Sequence, residues 1–225
     1  MRAKRGARFM SKPPANPKIY HITHVKNLPK IVEAGCLWSD AKRIELGLET
    51  KVVGMSDIKR RRLEENQVTC NTGTMVGQYV PFYYCPRSIM LYILYKGNHI
   101  DLDYAEGQGP MIHLQADLRT SVNWAQDNNV AWASSLSNAG TRYAEYFNTM
   151  GGFPRIDWSA VANRDFRSPS VKEGKQAEFL VFESFPWSMV EHVGVFDQNT
   201  RMLAHGAITA STHKPTIRTE NSWYF

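Results

Sequence analysis

The chain has 225 residues, of which 43% are hydrophobic, and its mean hydropathy is −0.41. These values predict one globular domain with a sizeable core, and no apolar run approaches the roughly 20 residues that a membrane helix needs. The net charge is +6, but residues 1–18 hold six cations and no acidic residue, so the rest of the chain is neutral. We therefore expect an acidic partner to bind the body of the protein in a local groove, and we expect no membrane contact.

The N-terminal segment 1–17 is predicted to be a basic, disordered arm that precedes a single domain over 18–225. It is rich in Arg, Lys and Pro and has none of the apolar character of a secretory signal. The three cysteines, Cys36, Cys70 and Cys85, form no Cys-x-x-Cys pair, which is typical of a protein from a reducing cytoplasm. No metal site is expected, since His21 and His24 would point to opposite faces of a strand.

The first third of the chain predicts a strand, a short helix and a long polar region. Residues 18–23 favour a strand, Asn27 is a candidate N-cap, and Gly35 is a natural C-cap. The apolar sequence Cys36-Leu37-Trp38 follows. Residues 39–78 are polar and predicted to be loops, apart from a short helix over 58–65.

The remaining two thirds predict further short strands and few helices. Strands are expected at 79–84, 110–115, 130–133, 177–182 and 190–196, and helices at 88–95, 141–150 and 187–191. Residues 151–176 are rich in Gly, Pro and charge and are predicted to form a long loop, a feature that is usually functional. The sum is an α+β domain.

Two pairs of polar residues stand two positions apart on predicted strands. His21 and Thr23 share one face of the first strand, and Gln176 and Glu178 share one face at the start of a very apolar one. Each pair can address one ligand, such as a ribose or a carboxamide. The alternative interpretations are a histidine satisfied in the core and a carboxylate exposed at a strand start.

Two further segments combine cations with possible ligand contacts. In Lys59-Arg60-Arg61-Arg62, successive helical positions diverge by about 100°, so at most one or two arginines can enter the same cleft; the others form a solvated face. The segment 80–92 mixes aromatic and polar residues, and single-stranded nucleic acid is bound by such stacking surfaces with basic side chains. The residues singled out there are Tyr84, Arg87, Ser88 and Tyr92; most of the segment's other aromatic residues are expected in the core.

The chain resembles the DarT family, the DNA ADP-ribosyltransferase toxins of DarT–DarG toxin–antitoxin systems. The resemblance is carried in order by Tyr20-His21-Ile22-Thr23-His24 with Asn27-Leu28, by segment 80–92, and by Lys175-Gln176-Ala177-Glu178-Phe179-Leu180 with Phe185-Pro186-Trp187. The aromatic end Trp223-Tyr224-Phe225 is similar as well. Residues 97–170 match the family's pattern poorly.

The resemblance implies an ADP-ribosyltransferase-like fold, with a split mixed β-core and peripheral helices around an NAD cleft. It implies transfer of ADP-ribose from NAD⁺, without a metal, to thymine N3 of single-stranded DNA, which blocks DNA replication. It also implies reversal by a DarG-like macrodomain antitoxin. We expect a cytoplasmic monomer. Glu178 and Arg62 are the implied catalytic residues, although the neighbouring arginines leave the register of Arg62 open. The implied NAD⁺ contacts are His21, Thr23, Asn27, Leu37, Arg62 and Gln176, and the implied DNA contacts are Tyr84, Arg87, Ser88, Ile89, Met90, Leu91 and Tyr92.

Three alternatives compete with this interpretation. A transferase of the same fold could modify guanine, RNA or a protein side chain. A non-catalytic module could bind single-stranded nucleic acid through segment 79–92, but it leaves Gln176 and Glu178 unexplained. An RNA 2′-phosphotransferase shares the fold class, but it needs several cations around a phosphate.

Overall fold

The computed structural model describes residues 12–165 and 167–225. Within these ranges the chain forms ten strands. They are β1 (Lys18–His24), β2 (Cys36–Trp38), β3 (Tyr79–Tyr83), β4 (Met111–Asp117), β5 (Trp132–Asn138), β6 (Tyr146–Phe147), β7 (Ala177–Phe182), β8 (Ser184–Pro186), β9 (His192–Val195) and β10 (Thr216–Thr219).

Helices surround these strands, and most of them are short. The α-helices of the described residues are α1 (Leu28–Ala34), α2 (Asp40–Glu45), α3 (Ser56–Glu64), α4 (Ile89–Lys96), α5 (Leu118–Asp127), α6 (Trp158–Ala162), α7 (Pro169–Gly174) and α8 (Gln198–Ile208). Single 3₁₀ turns connect several elements. Over the described part of the chain, no helix is both long and apolar enough to cross a membrane.

Eight strands form one mixed sheet in the order β10-β9-β4-β1-β3-β7-β5-β6, and β2 pairs with β8 separately. Seven residue pairs join β1 to β4 and five join β3 to β7, but only Tyr20 and Tyr83 pair between β1 and β3. The sheet is therefore divided at its centre, between β1 and β3, where one residue pair joins the two halves. The predicted α+β fold with a split β-core is confirmed.

Local sequence explains the elements that frame this division. Phe179, Leu180 and Val181 of β7 are fully buried, as their apolar, β-prone sequence predicts. The Ser88 side chain accepts a hydrogen bond from the Leu91 N–H at 3.1 Å and begins α4, as expected of an N-cap. Gly35 ends α1 with a φ of 67°, the left-handed conformation that glycine adopts most readily.

Two helices escape sequence-based prediction although their patterns are regular. Helix α5 follows Asp117, whose carboxylate accepts from the Thr120 N–H at 2.9 Å, and it buries Leu118, Val122 and Ala125. Helix α8 follows Asp197, which caps it in the same way at 2.7 Å. In both, an acidic N-cap and a buried face at helical spacing are readable signals.

Three predicted segments are corrected by the structure. The helix predicted at 141–150 is wrong, because Tyr146 and Phe147 pair with β5 while Tyr143 is 89% exposed. The loop predicted at 151–176 contains α6 and α7, and the polar region 39–78 also contains α2. Helices α2 and α7 bury at most one residue each, and α6 has only five residues, so none of the three shows a clear hydrophobic periodicity.

The predicted arm 1–17 lies outside the described residues as far as position 11. Of the part that is described, Pro17 is buried and its carbonyl accepts from the Leu118 N–H at 3.0 Å. The last residue of the arm is thus attached to the start of α5. All three cysteines are free thiols.

Candidate active site

Arg62 and Glu178 form a bidentate ion pair beside the division of the sheet. Arg62 Nη1 donates to Glu178 Oε1 at 3.0 Å and Nη2 donates to Oε2 at 2.9 Å, and Glu178 is only 2% exposed. By contrast, Arg60 and Arg61 are exposed, and Arg60 pairs with Glu64. Consecutive helical side chains point in different directions, so Arg62 alone of the three arginines enters the cleft.

The backbone around Glu178 is held by β5. The Glu178 N–H donates to Ser135 Oγ at 3.0 Å, and Ser134 Oγ donates to the Glu178 carbonyl at 3.2 Å. The pairing of β5 with β7 shifts register between Ser134 and Asn138. This irregularity lets the Ala139 N–H donate to Glu178 Oε1 at 3.1 Å instead of extending the ladder.

The ion pair fixes the charge state of its surroundings. Burial alone would lower the pKa of Arg62, but the charge of Glu178 and its hydrogen bonds outweigh burial and hold that pKa above its usual value. Burial raises the pKa of Tyr83 and of Tyr146, and the charge of Glu178 raises both further. At neutral pH the site therefore contains neutral phenols around a protonated guanidinium.

The structure brings four of the predicted NAD⁺ contacts together. His21, Thr23, Asn27 and Leu37 line one cavity of about 550 Å³. A second cavity of about 870 Å³ shares the first three of these residues and reaches Arg62. The two cavities adjoin through these shared residues, and we call them together the cleft; each alone has the size of a ligand site.

His21 presents an acceptor to this cleft. Its Nδ1 lies 2.8 Å from the carbonyl of Pro81, which can only accept, so Nδ1 carries the proton and Nε2 is unprotonated. Burial lowers the pKa of His21, which favours this neutral form. The ring can thus accept a hydrogen bond from a ligand N–H or O–H.

Asn27 ties the cleft to the segment that follows α2. It precedes α1, as predicted, but its side chain makes no capping bond. Asn27 Nδ2 donates to Thr23 Oγ1 at 3.1 Å and to the carbonyl of Lys51 at 3.0 Å, while Asn27 Oδ1 accepts from the Lys51 N–H at 2.7 Å. This amide therefore fixes residue 51 at the rim of the cleft.

Further charges in the cleft were not predicted from the sequence. Asp40 accepts from Arg43 at 2.9 Å and from Lys59 at 3.5 Å. Burial would raise the pKa of Asp40, but the two cations outweigh it and hold that pKa below its usual value. Asp40 and Arg43 lie on α2, an element that sequence reasoning missed, so their positions could not be foreseen. The contact of Ala139 with Glu178 could not be predicted from the sequence, because it is made by the backbone N–H.

Gln176 lies near Glu178 but does not contact Arg62. Its side-chain oxygen accepts from Asn138 Nδ2 at 3.0 Å, and its amide nitrogen donates to the carbonyl of Lys172 at 3.0 Å. It thus joins α7 to the irregular end of β5. Its predicted contact with NAD⁺ stays a prediction.

The predicted DNA-binding segment divides into buried and accessible residues. Ser88 and Leu91 are fully buried, and Tyr84 is 5% exposed with its hydroxyl 2.7 Å from Ser134 Oγ. Four others are partly exposed: Arg87, Ile89, Met90 and Tyr92. Met90 also lines the cleft that reaches Arg62.

No metal centre is found among residues 12–165 and 167–225, where no group of three His, Cys, Asp or Glu side chains could hold an ion. The described site combines the Arg62–Glu178 pair, the carboxylate of Asp40 with its two cations, one neutral imidazole and neutral phenols. This arrangement can bind an organic substrate with hydroxyl groups and can stabilise both a developing cation and a developing anion.

The profile of the family described as "ssDNA thymidine ADP-ribosyltransferase, DarT" matches residues 20–225. The chain belongs to the DarT family. A DNA ADP-ribosyl transferase of Thermus aquaticus is 31% identical over 216 residues, which are 94% of this chain and 90% of that protein. The sequence-based identification of the DarT family is therefore confirmed.

Solved DarT structures have the same fold. Thermus sp. 2.9 DarT in complex with ADP-ribosylated ssDNA superimposes with a TM-score of 0.86 at 27% identity, covering 96% of this chain and all of that one. The same DarT in complex with NAD⁺ gives a TM-score of 0.81 at 26% identity, covering 95% and 100%. This DarT protein is accordingly an NAD⁺-dependent ADP-ribosyltransferase of single-stranded DNA, as predicted.

Proposed function

We propose that this DarT protein transfers ADP-ribose from NAD⁺ to ring N3 of thymine in single-stranded DNA, with Glu178 and Arg62 as its catalytic residues. The observation that carries the proposal is the buried bidentate pair of these two side chains, which adjoins the cleft lined by His21, Thr23 and Asn27. A charged pair is costly to bury, so its place at the end of a ligand-sized cleft points to function.

Glu178 would hold the ribose. A carboxylate can accept about four hydrogen bonds. Oε1 already accepts from Arg62 and from the Ala139 N–H, whereas Oε2 accepts only from Arg62 among the described residues. Oε2 is therefore the oxygen that accepts from the ribose 2′-hydroxyl. Its negative charge stabilises the positive charge that develops on the ribose as nicotinamide leaves.

Arg62 would act as a cation and not as a base. Its pKa is held above an already high value by Glu178, so it cannot accept the N3 proton at neutral pH. We assign it to stabilising the thymine anion as N3 loses its proton to solvent. The guanidinium can do this through N–H groups that do not face Glu178, because it has five donors and spends two on the carboxylate.

The residues of the cleft fit NAD⁺. His21 Nε2 can accept from a carboxamide or a ribose hydroxyl, and Thr23 and Leu37 lie in the same cavity. Gln176 would act from the other side by holding α7 near Glu178. Bound NAD⁺ supplies the ADP-ribosyl group and nicotinamide as the leaving group.

The accessible residues of segment 80–92 would contact the DNA. We assign contact to Arg87, Ile89, Met90 and Tyr92, and we assign the buried Tyr84, Ser88 and Leu91 to supporting them. We also propose that the protein is a cytoplasmic monomer. A DarG-like macrodomain antitoxin would reverse its modification.

Mass spectrometry of a thymine-containing single strand incubated with NAD⁺ tests the proposal. We expect a gain of one ADP-ribose per strand. Glu178→Gln keeps the shape of the side chain but removes its charge, and it should lower the rate on the order of 10²–10³-fold, as for one preorganised group. Glu183→Gln makes the same chemical change at an exposed position and is the matched control.

Two results would contradict the proposal. Unchanged activity of Glu178→Gln would remove the catalytic role of the carboxylate. Labelling of a strand that lacks thymine but contains guanine would move the acceptor to another base.

A further inference from the structure

One stretch of the chain lines both cavities of the cleft, and we call residues 48–55 the wall segment. Leu48 and Thr50 line the smaller cavity, and residues 50–55 line the larger one. The wall segment connects α2 to α3 and contains neither helix nor strand. A ligand that fills both cavities therefore lies against this segment, and the position of the segment affects how tightly such a ligand is held.

Side chains of neighbouring elements hold the wall segment in place. Asn27 makes two hydrogen bonds with the backbone of Lys51, and Lys30 Nζ donates to the carbonyl of Glu49. Within the described chain, no main-chain group of residues 49–54 bonds to another main-chain group. A segment without such bonds opens locally at a low free-energy cost, so each side-chain contact matters for its position.

A carboxylate from a distant part of the chain adds a further contact. Glu106 lies on the connection between α4 and β4, and its Oε1 accepts from Lys51 Nζ at 2.8 Å. Its Oε2 lies 3.3 Å from Nε2 of His24, which is 1% exposed. Because His24 Nδ1 accepts from the Lys26 N–H at 3.0 Å, Nε2 carries the proton and donates to Glu106. One carboxylate thus joins the wall segment to the end of β1, and we call this arrangement the Glu106 bridge.

The position of Glu106 is fixed by the residues on either side of it. Tyr104 and Gln108 are both buried, and the Tyr104 ring packs edge to face against His24 at 6.0 Å. The hydrogen bonds from Lys51 and His24 hold the pKa of Glu106 below its usual value, so the carboxylate is ionised at neutral pH. Glu106 itself lines neither cavity of the cleft. It can therefore act on a ligand there only through Lys51.

We propose that Glu106 is a positioning residue for NAD⁺, which holds the wall segment against the bound dinucleotide through Lys51. This inference rests on the proposed function, since it takes NAD⁺ as the ligand that fills the two cavities. Arg62 and Glu178 bond to each other and not to Glu106 among the described residues. The Glu106 bridge therefore acts on the retention of NAD⁺ and leaves the transfer step unchanged.

The direction of the effect separates this role from simple electrostatics. NAD⁺ has a net negative charge, so removal of a nearby carboxylate should strengthen its binding if charge alone acts. Loss of the Glu106 bridge should weaken it instead. The Lys51 and Glu106 side chains are 42% and 39% exposed, and an ion pair exposed to this extent has a modest strength. We expect Glu106→Gln to raise both the Kd and the KM for NAD⁺ about threefold. The kcat and the KM for the oligonucleotide should not change.

Calorimetric titration of the full chain with NAD⁺ measures the Kd. Asp103→Asn removes an exposed carboxylate three residues before Glu106 and is the matched control, for which we expect no increase in Kd. Lys51→Met removes the ammonium that Glu106 holds, so adding Glu106→Gln to Lys51→Met should leave the Kd as it is in Lys51→Met alone. An equal increase in both backgrounds, or an NAD⁺ affinity of Glu106→Gln that matches or exceeds that of the wild type, would overturn the proposal.

Trypsin reports on the wall segment directly, because it cleaves after Lys51. Mass spectrometry of the peptides should show about threefold faster cleavage at this site in Glu106→Gln than in the wild type, and NAD⁺ should slow it in both proteins. Cleavage after the exposed Arg142 is the internal reference and should be equal in the two proteins. Equal rates at Lys51 as well would show that Glu106 does not hold the wall segment.

These measurements distinguish the Glu106 bridge from the proposed function. If the wild type transfers ADP-ribose to DNA and Glu106→Gln binds NAD⁺ normally, the bridge fails and the proposed function stands. If the variants change NAD⁺ affinity and cleavage as expected but the wild type transfers no ADP-ribose, the bridge is supported and the proposed function fails.

Discussion

Replacing Arg62 with alanine should destabilise the protein through the group it leaves behind. Glu178 is 2% exposed. Without Arg62, its carboxylate keeps only one hydrogen bond among the described residues, which it accepts from the Ala139 N–H. Breaking a buried pair in this way costs about 3–5 kcal/mol. The two hydrogen bonds that are lost agree with this range, at about 1.5–3 kcal/mol each for bonds to charged groups.

Because the unpaired charge of Glu178 causes the loss of stability, neutralising that charge should restore stability. Arg62→Ala/Glu178→Gln should recover about 2 kcal/mol relative to Arg62→Ala alone, because neighbouring residues in one network are strongly coupled. Urea unfolding of the wild type, both single variants and the double variant, monitored by circular dichroism, provides the complete cycle. If the changes in the free energy of unfolding caused by the two substitutions simply add, the Glu178 charge is not the cause of the destabilisation.

Three further outcomes follow from the site. Arg62→Lys should lose most transferase activity, measured as ADP-ribosylated oligonucleotide, because an ammonium cannot form the bidentate contact; near-full activity would contradict it. Annealing a complementary strand should abolish modification, since pairing hides thymine N3, and equal labelling of duplex DNA would oppose this. The pKa of fully buried His113 is lowered by burial to about 4, so the unfolded chain binds the proton first and stability should fall by about 3 kcal/mol as the pH decreases from 6.5 to 4. His113→Gln should flatten this part of the pH profile in urea unfolding, and an unchanged profile would exclude His113 as its source.

The sequence predicts the fold best where burial and capping are strong. Residues 177–182 form β7 as expected because every apolar side chain there is packed, and Ser88 begins α4 as its side chain predicts. Prediction fails where tertiary contacts decide: Tyr146 and Phe147 have aromatic spacing that suggests a helix, yet strand pairing with β5 prevails. Short helices such as α6 and α7 depend on packing against each other, which no local pattern reveals.

The candidate site was predictable to the extent that side chains carry it. Glu178 was proposed from the residues around it and from family resemblance. Arg62 was favoured within a run of three arginines, but its register stayed open, because which of the three faces the cleft depends on how α3 is rotated against the sheet. The Ala139 N–H donates to the Glu178 carboxylate because the pairing of β5 with β7 shifts register there. Every residue except proline has a backbone N–H, so the sequence does not indicate which one is used.

The single pair Tyr20–Tyr83 makes the centre of the eight-stranded sheet its weakest line. One half presents His21 to the cleft, and the other presents Glu178 with its partner Arg62 on α3. A ligand that contacts both halves therefore stabilises the folded arrangement of the two halves by its binding free energy. Substrate occupancy and cooperative unfolding are thus linked in this fold, and we expect the two halves to open separately more readily in the empty protein than in the loaded one.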